Sequence, residues 1–97
     1  MKHPADCESL EEVRQAIDAL DREVIYSLGR RARYVEVAAH FKTGEEGVRD
    51  PERQRTMLET RRRWAEENGL DPDLVEGLYR TLLSYFIDRE MQEWRET

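Results

Sequence analysis

LEEVRQAIDALDREVIYSLGRRARYVEVAAHFK, residues 10–42, is the stretch whose reading decides the fold. Its apolar side chains fall at Leu10, Val13, Ile17, Leu20, Val24, Leu28, Val35, Ala38 and Phe41. These are steps of three and four, with one skipped turn, as an amphipathic helix requires. Ser9 stands at the N-cap position and Glu12 at the third helical position, which together make a capping box. Gly29 interrupts the pattern, and the pattern resumes after it. A helix of about 33 residues is roughly 50 Å long, well beyond an average globular helix.

Outward from this helix the chain punctuates itself clearly. Residues 1–8 are a short polar lead-in that holds Pro4. Residues 43–49 contain Gly44 and Gly47 and read as a flexible loop. Asp50 followed by Pro51 starts a second helix, which runs to about Glu67 and stops at Asn68-Gly69. Asp71-Pro72 starts a third in the same way. Its apolar positions are Leu74, Val75, Leu78, Tyr79, Leu82, Leu83, Phe86, Ile87, Met91 and Trp94. The second helix is mostly charged and offers Met57, Leu58, Trp64 and Ala65. No strand alternation or repeat is present. The expectation is an all-α single domain over residues 1–97, with three helices of which one is very long. Three such helices do not close a core around a 50 Å spine, whereas two chains laid side by side would. An intertwined helical homodimer is therefore the geometric expectation.

Composition narrows the function classes. The 97 residues carry 16 basic and 22 acidic side chains, a net charge of −6. Nucleic-acid binding needs a net basic face, so it is not expected. The single cysteine, Cys7, excludes an internal disulfide and fits a reducing compartment. The lead-in lacks the apolar run of a secretory leader, and no apolar run approaches a membrane span. A soluble cytoplasmic protein is expected. No second His or Cys stands at metal spacing from His40, and no nucleotide or flavin motif occurs, so no cofactor is expected. Trp64, Trp94, Tyr79 and Tyr85 read as core or dimer-interface residues.

Three cations, Arg14, Arg31 and Lys42, break the apolar stripe. Arg31 and Lys42 are eleven residues apart, within roughly 20° of one helix face and about 16 Å along the axis. They can converge on one small anion. Arg14 is turned about 100° away and roughly 25 Å from Arg31, so one helix cannot bring both to the same ligand. A partner chain could. The alternative is that all three are solvated or paired with acids such as Asp18 and Asp21.

Several segments resemble a known family. They are Leu10-x-x-Val13-Arg14-x-x-Ile17-Asp18-x-Leu20-Asp21, Leu28-x-x-Arg31, Phe41-Lys42 and Val48-Arg49-Asp50-Pro51-Glu52-Arg53. Together they look like the all-helical chorismate mutases. Pro4-x-Asp6-Cys7, Gly29-Arg30-Arg31, the run from Arg63 to Asp71, Glu76-Gly77-Leu78 and Trp94 are similar to one branch, the isochorismate-pyruvate lyases that make salicylate for siderophores. The resemblance implies an intertwined homodimer with two equivalent sites and a compact dicarboxylate substrate, chorismate or isochorismate. It implies that Arg14 of the partner chain and Arg31 bind carboxylates, and that Lys42 meets the enolpyruvyl ether oxygen. Arg53 would help close the site, and residue 90 would donate to the ether oxygen. Both candidate reactions are pericyclic. They need a held conformer and charge stabilisation at the breaking ether bond, with no obligatory nucleophile, metal or cofactor. Bidentate arginines suit the carboxylates.

The sequence also departs from that family. Position 90 is Glu where many relatives have Gln, and a carboxyl donates a hydrogen bond only when protonated. Desolvation and the nearby cations push its protonation in opposite senses. Gln54 replaces a Glu of typical mutases, and Phe86 replaces a small polar residue; both lean toward the lyase branch. Asp50 matches mutases, and reads equally as a plain N-cap. A dedicated mutase, a mutase of an amino-substituted chorismate, and a helical dimeric interaction module without catalysis stand as the alternatives.

Overall fold

The computed structural model describes residues 2–96. Among these the chain is helical, with no strand. It comprises a short 3-10 turn at Pro4–Asp6, then α1 (Leu10–Ala39), α2 (Glu45–Arg49), α3 (Pro51–Glu67) and α4 (Pro72–Glu96). The chain divides into two compact units, Met1–Arg33 and Tyr34–Thr97, with α1 passing from the first into the second.

In the first unit the start of α1 is tied down twice. Ser9 Oγ accepts from the Glu12 amide at 3.1 Å, the first half of the expected capping box. The return bond differs from the expected one. The Glu12 carboxylate accepts from the Glu8 amide at 2.8 Å, one residue before the cap, and from Lys2 Nζ at 2.9 Å. These two donors hold the Glu12 carboxyl below the usual carboxylate range, with the backbone amide the larger cause. His3 Nδ1 accepts from the Ala5 amide at the head of the 3-10 turn, and the half-buried Cys7 thiol lies 3.9 Å from the His3 carbonyl. His3 is thus a turn cap. The apolar stripe of α1 is open here, with Leu10 61% and Ile17 50% exposed.

In the second unit α3 and α4 form a hairpin with its own core. Met57, Leu58 and Leu83 are buried together, and Tyr79 and Ile87 pack on them. The turn between the helices is chemically determined. The Leu70 amide reaches the Ala65 carbonyl at 2.8 Å and the Gly69 amide reaches that of Glu66 at 3.2 Å, a Schellman closure. Gly69 sits at φ 72°, where only glycine is unstrained. Asp71 Oδ1 then caps α4 at the Asp73 amide, 2.9 Å away. Arg61 lies 4.6 Å from the Trp64 ring and 5.5 Å from that of Tyr79, over the hairpin's edge. Trp64, expected in the core or at a dimer interface, is 45% exposed and covers a guanidinium, so it is not part of this chain's core.

Two expectations change near the end of α1. The helix ends at Ala39, and the amides of His40, Phe41 and Lys42 bond to carbonyls three residues back, a tightened exit turn. Lys42 is thus off the helix, and the eleven-residue register with Arg31 does not place it. Residues 45–49, expected as flexible loop, form α2, whose Val48 is buried and which packs on α4. Two glycines in seven residues suggested a loop; one buried valine at the right spacing was enough to close a helical turn.

Candidate active site

The site is built around α4. Its covered face runs Leu83, Phe86, Ile87, Glu90, Met91 and Trp94, a helical stripe with one carboxyl in it. Glu90 is 7% exposed, the one buried charged residue among those described. A carboxyl in such a place needs a partner. Lys42, half-buried at the exit of α1, supplies one: its Nζ stands 3.4 Å from Glu90 Oε1. That separation exceeds the 2.7–2.9 Å of a charge-assisted hydrogen bond. The ammonium is held instead by the Gly47 carbonyl at 3.0 Å. Glu90 Oε1 is buried with no hydrogen-bond partner among the described residues.

The other residues expected at the site lie in two groups. Asp50 is a hinge. It ends α2 and caps α3, its Oδ1 accepting from the Arg53 amide at 3.1 Å. Its φ of 32° is left-handed, a conformation that a residue before proline disfavours. The carboxylate is thus engaged as an N-cap, the plainer of its two readings. Arg53 itself is exposed on the first turn of α3. Gln54 Nε2 donates to the Arg49 carbonyl, joining α2 to α3. A cleft of about 240 Å³ between α2, α3 and α4 is lined by Arg49, Gln54, Arg80 and Ser84 over Leu58, Leu83 and Ile87. Neither Lys42 nor Glu90 lines it. Arg14 and Arg31 belong to the first unit, where Arg14 is exposed and Arg31 half-buried.

Sequence reasoning missed the surroundings of Lys42. Glu36 pairs with Arg89 at 3.0 Å, His40 with Glu93 at 3.5 Å, and Glu45 with Arg95 at 3.2 Å. The separations in sequence are near fifty, so spacing gave no direct sign. The available signal was that Glu36 and His40, like Arg89 and Glu93, are an acid and a base four apart on one helix face.

The arrangement is a helical scaffold that holds a lysine and a buried carboxyl together. Among the described residues no three metal-binding side chains gather, and no helix is long and apolar enough to cross a membrane. Such a site can bind an anion and stabilise charge on an oxygen. The chain belongs to the chorismate mutase type II family, which it matches over residues 13–91. It is 45% identical to the isochorismate pyruvate lyase of Pseudomonas aeruginosa over 97 residues, covering 100% of this chain and 96% of that protein. It is 36% identical to the T-protein of Haemophilus influenzae over 78 residues, covering 78% of this chain and 20% of that protein.

Proposed function

We propose that this protein is an isochorismate pyruvate-lyase that forms salicylate and pyruvate and also converts chorismate to prephenate. The likeness to the Pseudomonas lyase over the whole chain supports the class of reaction. The observation that carries the site is the buried Glu90 Oε1, which lies beside the Lys42 ammonium and has no hydrogen-bond partner among the described residues. A buried oxygen in that condition calls for an explanation, and a bound substrate supplies one. On this reading Lys42 stabilises negative charge that develops on the ether oxygen as its bond to the ring breaks. The Glu90 carboxyl, as the resemblance implies for position 90, is the second group at that oxygen. In the elimination a ring hydrogen passes to the enolpyruvyl methylene, pyruvate leaves and the ring becomes aromatic. Every atom of the two products comes from the substrate.

Arg31 binds one carboxylate and Arg14 of a second chain the other, with Arg53 closing over them. The functional form is an intertwined cytoplasmic homodimer, each chain a single domain. The open apolar stripe of residues 10–33 supports the pairing, since a stripe of that size is seldom left in water. The lyase is favoured over a dedicated mutase, or a mutase of an amino-substituted chorismate, by Gln54, whose amide bonds the Arg49 carbonyl and brings no carboxylate to a ring hydroxyl.

The test is incubation of the pure protein with each substrate. Salicylate fluorescence from isochorismate is the expected outcome, with slower loss of chorismate absorbance. Turnover of neither would end the enzyme reading and leave a helical interaction module. Glu90→Gln, which keeps a side-chain donor at position 90, should retain lyase turnover, whereas Glu90→Leu should lose most of it. Equal turnover of the two variants would remove Glu90 from the site.

A further inference from the structure

Lys42 stands on a turn, and a turn does not fix an ammonium as a helix does. The Gly47 carbonyl holds the ammonium, and the segment that carries both residues is tied to the end of α4. Two ion pairs and one further contact surround the Lys42–Glu90 pair: Glu36–Arg89 on the last turns of α1, Glu45–Arg95 on the first turn of α2, and between them His40 Nε2 3.5 Å from the Glu93 carboxyl at the exit of α1. They tie the chain both before and after Lys42 to residues 89–95. Along α4, Arg89 and Arg95 each face a carboxylate, Glu90 faces Lys42, and Glu93 faces the His40 imidazole. Slipping α4 by one residue would set Arg89 against Lys42, so the ladder specifies one register.

We propose that Arg95 and Arg89 are positioning residues, which act through Glu45 and Glu36 to hold the segment 36–45 and so fix Lys42 Nζ for the reaction. This rests on the reading of Lys42 as the group that meets the substrate. Both pairs are about half exposed, with side chains 45–61% accessible, so neither contributes much to global stability. Their effect is local: they decide how often the Lys42 turn is in place. A misplaced charged group loses rate steeply with distance.

The experiment is charge reversal at the outer pair. Arg95→Glu places like charges together and should lower kcat/KM for isochorismate about tenfold, mostly through KM. The melting temperature should hold, because the residues are exposed. The swapped double variant, Glu45→Arg with Arg95→Glu, should return to within about twofold of wild type, since the coupling of a contacting pair is restored. A second readout needs no turnover. Trypsin cleavage after Lys42 should be faster in Arg95→Glu than in wild type and slow again in the swap. Unchanged kcat/KM and cleavage in Arg95→Glu, or a swap that fails to recover either, overturns the inference. If Arg95→Glu does not fold, Glu45→Gln at the exposed start of α2 carries the same test. Should wild type turn over neither substrate, the proposed function fails, while the cleavage series still decides whether Arg95 anchors the Lys42 turn.

Discussion

Residues 10–33 and the α3–α4 hairpin carry the same signal and meet different ends. Both space apolar side chains for one helical face. In α1 that face stays open, with Val24 56% and Ile25 69% exposed. In the hairpin Met57, Leu58, Leu83 and Phe86 are all buried. The difference lies in what the chain places nearby. A four-residue turn with a glycine closure folds α4 back on α3, so each covers the other. Among the described residues, the unit that holds the leading part of α1 has no other α-helix, only the 3-10 turn at Pro4–Asp6. Periodicity therefore reports that a face must be covered, and linker length reports whether the same chain can cover it.

The largest expected effect tests how the two regions share the chemistry. Lys42→Ala, on the hairpin side, and Arg14→Ala, on the open side, should each lower turnover about 100- to 1,000-fold. If Arg14 serves the partner's site, mixing the two inactive proteins after unfolding and refolding should restore about a quarter of wild-type activity. Half of the dimers are then mixed, and each has one intact site. Recovery of nothing would place Arg14 and Lys42 in the same chain's site or outside any site.

A smaller effect separates the two apolar faces. Leu83→Ala should cost about 2–5 kcal/mol by denaturant unfolding, as deletion of a packed side chain does. Ile17→Asp should act through association. Its unfolding midpoint should fall, and fall further as the protein is diluted, because a dimer's stability depends on concentration. An Ile17→Asp midpoint that is low but independent of dilution would mean that the stripe is covered within one chain.

Much of this was legible beforehand, and the exceptions have physical causes. The caps of α3 and α4 at Asp50 and Asp71 follow from local chemistry, as does the stop at Asn68-Gly69, and they stand within a residue of where they were expected. The apolar period carries the expected end of α1 three residues past Ala39, because Phe41 continues it. That period cannot register a helix whose last amides bond three residues back. The α2 helix was hidden because its one buried side chain, Val48, lies between Gly47 and Arg49 and shows no period. Lys42 and Glu90 were paired by resemblance to a family. Gly47's carbonyl and the flanking ion pairs were not, since a backbone acceptor leaves no mark in sequence and pairs fifty residues apart leave little.

The smallest effect compares two carboxylates, one in each region, that are both held below the usual range for different reasons. For Glu12 the first cause is the Glu8 amide and the second is Lys2. For Glu76, on α4, the first is the Arg80 side chain, opposed by desolvation, with Arg62 adding to it. A depressed carboxyl contributes stability that is present above its unfolded titration and lost as pH falls through its folded one. Both contributions therefore vanish in the acid range and are whole at neutral pH. The amide bond is short-ranged and salt does little to it, whereas the partners of Glu76 are all exposed or half-exposed cations that salt screens. Raising ionic strength from about 0.1 M to 1 M should move the Glu76 titration upward by more than that of Glu12, read from carboxyl carbon shifts. In Glu12→Gln the Glu8 amide shift should no longer titrate in acid. Equal salt shifts for the two groups would mean that Lys2, and not the Glu8 amide, holds the Glu12 carboxylate.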